Sequence, residues 1–320
     1  MIITVTLNAA IDKTLAVPNF QLGRRHRSTD QRTVAGGKGV NIARTLKTLG
    51  QPVIATGLAG GSTGTRISEQ LTGEAILSDF VRIKEESRTS TAVIDPTSGV
   101  QTEINERGPL ATEAELALFK DKLLYLAKGA DICVFAGSLP RGVGNQIYAE
   151  LVSELSSLGV TTVVDAEGEP MELALRAGPD LVSPKAAEAE GLVGHEFRDA
   201  QEHVQALREL CELGAREALI THADGCYAIV GRGHERHLYD VTAEPLEAVS
   251  AIGSGDVFLA GYLSARYRER PFEECLRFGV ACGAESTQHF GAGMVDPREV
   301  DRIASEVTIT ELELPAEVRA

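Results

Sequence analysis

The segment Ala248-Val-Ser-Ala-Ile-Gly-Ser-Gly-Asp-Val-Phe-Leu-Ala-Gly-Tyr262 places two glycines and an acidic residue just before an apolar run. The apolar run at residues 257–260 predicts a buried helix, with Gly253-Ser254-Gly255-Asp256 at its N-terminus. A helix N-terminus carries unpaired N–H groups and a partial positive charge, and glycine lets an anion approach the backbone closely. Asp256 adds a proton acceptor in the same turn. Phosphoryl transfer to a hydroxyl requires this combination of anion donors and a base.

The same segment also has a purely structural interpretation. Aspartate in the first turn is a common helix cap, and Gly-x-Gly is common in loops. The segment therefore suggests a site of phosphate chemistry, and the rest of the chain must decide between the two interpretations.

Composition narrows the class of protein. The chain has 320 residues, 43% hydrophobic and 24% charged, which suits one large α/β domain or a domain with a small appendage. A net charge of −15 argues against general nucleic-acid binding. Five cysteines without a Cys-x-x-Cys motif suit reduced thiols in a cytoplasmic protein better than disulfides or zinc. The N-terminus resembles a strand, not a signal peptide, and no apolar run is long enough for a membrane helix, so we expect no membrane association.

Strands and helices are predicted to alternate along most of the chain. Such alternation predicts an α/β protein with a mostly parallel sheet covered on both faces, and ligands bind at the carboxyl ends of the strands in such sheets. Predicted strands include residues 2–7, 53–56, 132–135, 161–164, 217–220, 226–230, 235–239 and 245–249. The residues expected at their carboxyl ends are Asn8, Gly57, Gly137, Ser138, Asp165, Thr221 and Ser250.

A hairpin interrupts this alternation. Residues 88–94 and 100–105 are strand-like and flank the turn Asp95-Pro96-Thr97-Ser98-Gly99. With strand-like pieces at 14–17 and 31–34, the hairpin predicts a small accessory sheet that acts as a lid over a site. The expected division is a core of residues 1–10, 36–86 and 109–320 and a β-lid of residues 11–35 and 87–108. Because exposed sheet edges are usually covered, we expect a homodimer through the lid.

A second glycine-rich segment, Gly36-Gly37-Lys38-Gly39-Val40-Asn41, leads into a predicted helix. It is not a Walker A loop, because Arg32 occupies the first glycine position and Gly39 follows the lysine. Asn41 lies one helical turn from Lys38, so both can face one ligand. The Gly-x-Gly-x-x-Gly fingerprint of dinucleotide-binding oxidoreductases does not occur in the chain.

The two glycine-rich segments, Gly36–Ala43 and Ala251–Asp256, resemble the two signatures of the ribokinase-like, phosphofructokinase-B-type carbohydrate kinases. The second signature usually has alanine at position 254. The likeness covers essentially the whole chain and implies a three-layer α/β sandwich with a β-sheet lid. Residues 6–14 and 102–109 look most like the 1-phosphofructokinase and tagatose-6-phosphate kinase branch. The resemblance implies that ATP, with Mg²⁺, phosphorylates a ketohexose phosphate: fructose 1-phosphate, tagatose 6-phosphate or fructose 6-phosphate.

The resemblance also implies roles for individual residues. Asp256 would be the base, and Gly253, Ser254 and Gly255 would form the anion hole. The expected substrate-binding residues are Asp12, Gly36, Gly37, Lys38, Asn41, Arg88 and Asn105. The expected nucleotide-binding residues are Lys185, Thr221, Asp224, Gly225 and Ser250, and Glu188 would assist the metal indirectly. Independently of the resemblance, a planar arginine fork grips phosphate in two places, so Arg88 suits a phosphorylated substrate, with Arg24, Arg25 and Arg27 either helping it or facing water.

The chain departs from the family pattern at several positions. In the stretch usually written Lys-Pro-Asn-x-x-Glu, Ser183 and Lys185 replace the lysine and the asparagine. His222 occupies a position that is usually glycine in the nucleotide loop, and Ser90 and Ala92 replace an asparagine and a lysine common in 1-phosphofructokinases. Two alternatives therefore stay open: a kinase for an unphosphorylated sugar or nucleoside, and a non-catalytic sugar-phosphate sensor.

Overall fold

A computed structural model describes residues 1–231 and 233–313 of the chain. Its larger sheet contains β1 (Ile2–Thr6), β4 (Val53–Gly60), β5 (Leu77–Ile83), β8 (Ile132–Ala136), β9 (Thr161–Asp165), β10 (Leu181–Val182), β11 (Glu217–His222), β12 (Gly225–Val230), β13 (His237–Thr242) and β14 (Thr308–Leu312). The strand order is β14-β13-β12-β11-β10-β9-β8-β1-β4-β5. Pairing is parallel from β5 to β11 and antiparallel from β11 to β14. The expected mostly parallel sheet is confirmed.

Helices cover both faces of this sheet. They are α1 (Lys38–Thr48), α2 (Gly61–Gly73), α3 (Glu113–Ala127), α4 (Ile147–Ser157), α5 (Glu169–Arg176), α6 (Ala186–Val193), α7 (Ala200–Glu212), α8 (Ser254–Tyr267), α9 (Phe272–Ser286) and α10 (Pro297–Glu306). Alternate residues of a strand point to opposite faces, so Ile2 packs in the core under α1 and α8 while Ile3 packs in the core under α3 and α4. None of the described helices has the length and apolar character of a membrane span.

A separate four-stranded sheet is built from β2 (Ala10–Ala16), β3 (Asp30–Gly36), β6 (Arg88–Ile94) and β7 (Gln101–Asn105). The order is β3-β2-β6-β7, and the β2–β6 pair is parallel. Asp95 fixes the β6–β7 turn, since its carboxylate accepts the Thr97 N–H at 2.9 Å and the Ser98 hydroxyl at 3.0 Å. The small accessory sheet expected from the hairpin is thus confirmed.

The prediction of a strand at residues 245–249 was wrong. β14, which was not predicted, occupies the free edge of β13 over the pairs Leu238–Leu312 to Thr242–Thr308. Residues 245–249 therefore find no strand edge there, and the N–H groups of Val249 and Ser250 donate to the Thr287 carbonyl at 2.8 and 3.0 Å. The predicted strand at 235–239 begins only at His237, because Gly233–Glu235 form a turn of 3₁₀ helix.

The predicted strand at residues 53–56 was too short, since β4 continues through Gly57 to Gly60. A Cβ at Gly57 would lie 1.9 Å from the Thr6 carbonyl oxygen, so the glycine permits the close approach of β4 to β1. Strand β5 and helix α6 were likewise absent from the predicted pattern. Gly57 is therefore a strand residue and does not stand at a carboxyl end.

Candidate active site

Two cavities meet at the N-terminus of α8. The first cavity, of about 750 Å³, lies between the small sheet and the carboxyl ends of β1 and β8, and Gly253 and Asp256 are among its lining residues. The second cavity, of about 630 Å³, is lined by Ser254 and Gly255. Lys185 lines both. The start of α8 therefore stands between two spaces that are each large enough for a small molecule.

The local sequence explains how α8 begins. Gly253 has a left-handed backbone (φ 78°), and a Cβ there would lie 2.7 Å from the Ala292 Cβ. The Val257 N–H donates to the Gly253 carbonyl at 3.1 Å. The N–H groups of Gly255 and Asp256 precede this first intrahelical bond, so they belong to the set of donors that a helix leaves for an external acceptor.

Asp256 is a buried carboxyl that accepts a hydrogen bond from one side chain among the described residues. It is 6% exposed, and its Oδ2 accepts a hydrogen bond from Asn41 Nδ2 at 2.9 Å. Burial, reinforced by the charge of Asp165, raises its pKa to about 7, although Lys38 and the Asn41 bond act in the opposite direction. A carboxyl with a pKa near neutrality can take up a proton from a hydroxyl and release it again.

Lys38 is held by two carboxylates. Its Nζ lies 2.7 Å from Asp165 Oδ1 and 3.6 Å from Glu188 Oε1. Burial opposes the charged ammonium, but Asp165, Glu188 and Asp256 outweigh it and raise the pKa of Lys38 above its ordinary value. The sequence placed Asp165 at a strand end but gave it no role in the site. The structure makes it the main partner of Lys38.

The small sheet supplies the opposite wall of the first cavity. Asp12 Oδ2 accepts the Gly37 N–H at 3.4 Å, and burial raises the pKa of Asp12 against the opposing charge of Arg88. A Cβ at Gly36 would lie 1.9 Å from Asp12 Oδ2, so Gly36 shapes the site without lining it. Asn105 lines the cavity and accepts a hydrogen bond from the Ser90 hydroxyl.

Arg88 joins the first cavity to a neighbouring one. Its Nε donates to the Asn8 carbonyl at 3.1 Å, and the side chain also lines a cavity of about 580 Å³ together with Arg107 and Arg141. Three arginines thus stand at this end of the site. Arg24, Arg25 and Arg27, which the sequence left as either helpers of Arg88 or residues that face water, are exposed and do not line the first cavity.

The second cavity gathers most of the predicted nucleotide-binding residues. Thr221, Asp224 and Gly225 line it, next to apolar groups such as Phe258. Ser250 does not line it. Ser250 is buried, and its hydroxyl accepts the Ile252 N–H at 3.3 Å. This hydrogen bond holds the backbone segment that leads into α8.

His222 also lines the second cavity, at a position where the sequence resemblance leads one to expect glycine. Its ring packs against Tyr227 with the ring centroids 5.3 Å apart. Burial, together with the charge of His203, lowers the pKa of His222. The imidazole is therefore a neutral part of the cavity wall at pH 7.

A divalent metal ion fits this site only with help from a ligand. Within residues 1–231 and 233–313, no three His, Cys, Asp or Glu side chains are grouped as a metal cluster. Glu188 accepts the Lys185 N–H at 2.9 Å through Oε2 and faces Lys38 through Oε1. Mg²⁺ commonly keeps several waters and binds through one or two carboxylates plus substrate phosphates, which suits a single carboxylate such as Glu188.

A model of the pfkB family carbohydrate kinases matches residues 5–298. The chain belongs to this family. It is 33% identical over 284 residues to a 1-phosphofructokinase of Borreliella burgdorferi, which covers 88% of this chain and 90% of the relative. It is 30% identical to a tagatose-6-phosphate kinase of Staphylococcus epidermidis, over 98% of this chain and all of the relative.

A solved structure of phosphofructokinase-2 from Escherichia coli, in complex with substrates and products, superposes on this pfkB-family chain with a TM-score of 0.87. The two are 27% identical, and the match covers 95% of this chain and 98% of the other. This similarity confirms the expected three-layer fold with its small separate sheet. The family makes the protein a carbohydrate kinase, with ATP as the co-substrate.

Proposed function

We propose that the protein transfers the γ-phosphoryl group of ATP to a hydroxyl of a ketohexose phosphate by in-line displacement. The observation that carries this proposal is the position of the α8 N-terminus between two cavities, with a buried carboxyl of near-neutral pKa on one side. Relatives that carry the names 1-phosphofructokinase and tagatose-6-phosphate kinase support a phosphorylated ketose. Fructose 1-phosphate, tagatose 6-phosphate and fructose 6-phosphate are the candidates.

In this proposal the first cavity receives the sugar phosphate and the second receives ATP. Asp256 accepts the proton of the attacking hydroxyl, and the backbone of Gly253, Ser254 and Gly255 receives the charge of the phosphoryl group. The residues assigned to the sugar are Asp12, Gly36, Gly37, Lys38, Asn41, Arg88 and Asn105. The residues assigned to ATP are Lys185, Thr221, Asp224 and Gly225, with Ser250 supporting them indirectly.

Mg²⁺ would supply charge neutralisation on the ATP phosphates, and Glu188 is the residue assigned to hold it, through water. The other carboxylate next to Lys38, Asp165, holds that lysine through an ion pair of 2.7 Å, while the charge of Lys38 still acts on Asp256. Cytoplasmic location is part of the proposal, supported by five cysteines that are all unpaired.

Arg88 is the residue that distinguishes two candidate functions: a kinase for a sugar phosphate, and a kinase for an unphosphorylated sugar or a nucleoside. The partly buried guanidinium of Arg88 lines the first cavity with Arg107 and Arg141, of which Arg141 is paired with Glu85. Such a guanidinium suits a phosphate that the substrate already carries. Arg88→Ala should therefore raise KM for the ketose phosphate strongly. Turnover that survives this change with an unaltered KM would favour the unphosphorylated substrate.

We also propose that the protein forms a homodimer through the small sheet. Within residues 1–231 and 233–313, the outer strands β3 and β7 each pair on one side only, and Ile104 of β7 is 61% exposed. Strand edges and exposed apolar side chains in the same element favour contact with a second copy.

The experiment that tests the function is ADP release from Mg-ATP with a panel of acceptors, in which Asp256→Asn is the blank. The panel holds the three ketose phosphates, fructose, ribose and adenosine. Turnover on one ketose phosphate, lost by about 100-fold or more in Asp256→Asn, is the expected result. Full activity in Asp256→Asn would show that Asp256 is not the base. ADP and sugar-phosphate binding without turnover in the wild type would instead identify a sensor.

A further inference from the structure

Lys185 occupies the place where the two cavities meet. It is the N-cap residue of α6 and one of the residues that line both spaces. Its Cε lies 3.4 Å from the point where a Cβ on Gly255 would stand, so its side chain runs along the first turn of α8. Its charge also acts on Asp256, whose pKa it lowers in part. The ammonium group is thus close to both the proposed anion hole and the proposed base.

The backbone of Lys185 is fixed, whereas its ammonium is available. The Lys185 N–H donates to Glu188 Oε2 at 2.9 Å, and the residue forms an isolated bridge with Thr221. No carboxylate of the described residues forms an ion pair with Lys185. Lys38, the other lysine near Asp256, is by contrast committed to Asp165 and Glu188. Lys185 is therefore the lysine next to α8 whose charge is free for a ligand.

The second cavity needs that charge. Its lining residues in the described part of the chain include the acidic side chains Asp224 and Glu244 and no arginine or lysine besides Lys185. A triphosphate placed there would find one cationic side chain, at the end that adjoins α8. An ammonium is a compact charge with three donors on a flexible stem, so it can follow a group that moves by a short distance.

We propose that Lys185 is a catalytic residue whose ammonium contacts the transferring phosphoryl group from its position on ATP to its position on the sugar. The inference rests on the proposed function. The bond between the γ-phosphorus and the β–γ bridging oxygen breaks, the bond to the sugar oxygen forms, and the hydroxyl proton passes to Asp256. The Lys185 ammonium takes no part in the proton transfer and offsets the charge on the phosphoryl oxygens.

The contact with the γ-phosphoryl group can be tested without knowing the sugar. Calorimetric titration compares the affinities of ADP and of the non-hydrolysable ATP analogue AMP-PNP, each with Mg²⁺, in wild type and Lys185→Met. Loss of a charge-assisted contact should weaken AMP-PNP by about 10- to 100-fold and ADP by much less. Lys185→Arg should retain part of the difference. Lys47→Met, which removes an exposed lysine at the far end of α1, should change neither affinity.

An equal loss of ADP and AMP-PNP affinity, or no loss of either, would overturn the inference. The second measurement is kinetic, with the ketose phosphate that the panel identifies. A group that acts on the transferring phosphoryl should lower kcat by about 100-fold in Lys185→Met, with a smaller change in KM for the sugar phosphate. An unchanged kcat would also overturn it. If the wild type turned over no ketose phosphate, the proposed function would be wrong, but the ADP and AMP-PNP titrations would still show whether Lys185 contacts the γ-phosphoryl group.

Discussion

Asp256 is a buried carboxyl whose surroundings set its proton affinity. Burial and Asp165 raise its pKa, while Asn41 donates to its Oδ2 and holds the carboxylate in place. A base is most effective when its pKa lies near the working pH, because it is then largely ionised and still binds a proton well.

The pH dependence of kcat/KM should report this carboxyl. Asp256 accepts a proton only when ionised, so activity should fall as the pH drops through about 7, the raised pKa. Asp165→Asn removes one of the charges that raise the pKa and frees Lys38, which lowers it. Both changes move the acid limb to lower pH. The measurement is a pH–rate profile of the two proteins, with Asp121→Asn on the exposed side of α3 as the control. A limb that stays in place in Asp165→Asn would contradict this account.

Residues within a motif were easier to predict than the pairs that join motifs. The positions of Asn41, Lys38 and Asp256 could be predicted, because each residue lies at the start of a helix that follows a glycine-rich turn. The Lys38–Asp165 bond joins residues 127 positions apart, and no local pattern contains it. Ser250, expected among the nucleotide-binding residues, does not line the second cavity for a similar reason, since the direction of a hydroxyl after a loop depends on the contacts of that loop.

Among the elements, β4 shows most directly how one residue controls strand pairing. Gly57 has φ 145°, and a Cβ there would lie 1.9 Å from the Thr6 carbonyl of β1. Gly57→Ala should therefore destabilise the fold by at least about 1–3 kcal/mol through overpacking and backbone strain. Because β1 leads directly to Asn8 and the first cavity, the same change should lower activity.

Urea unfolding of Gly57→Ala measures this effect. Gly191→Ala is the matched control, since Gly191 lies within α6 with nothing near a Cβ there. Alanine at that helical position should stabilise by up to about 0.5–1 kcal/mol. Equal midpoints for Gly57→Ala and wild type would show that β1 and β4 adjust without cost.

Element types were predictable where periodicity is strong, and edges were not. The alternation of strands and helices from α3 to α5, and again from α7 to β12, follows from apolar patterns and turn residues, whereas the short helix α6 between them was missed. The strand predicted at residues 245–249 does not form because β14, near the end of the described chain, pairs with the edge of β13 instead. A local sequence window holds no information about which of two distant segments will occupy a strand edge.

At the scale of the whole molecule, the small sheet covers the first cavity on one side and presents apolar residues on its exposed parts. Leu22, Val100 and Ile104 are 91%, 60% and 61% exposed, and all three belong to the small sheet or its connections. In a carbohydrate kinase with a net charge of −15, exposing these three apolar side chains to water contributes nothing to stability. A second copy docked on the sheet would cover it and would stiffen the strands that carry Asp12 and Arg88.

Ile104→Lys should therefore convert a dimer into a monomer. In a twofold interface, the added ammonium of each copy would either be buried or lie opposite the ammonium of the other copy, and both arrangements destabilise the dimer. Light scattering after size-exclusion chromatography measures the mass, and Leu158→Lys, at the exposed end of α4, is the control. Because β2 and β6 carry Asp12 and Arg88, the monomer should show a higher KM for the sugar phosphate while ADP affinity stays the same. A wild-type protein that is monomeric at micromolar concentration, or a variant that stays dimeric, would place any interface elsewhere.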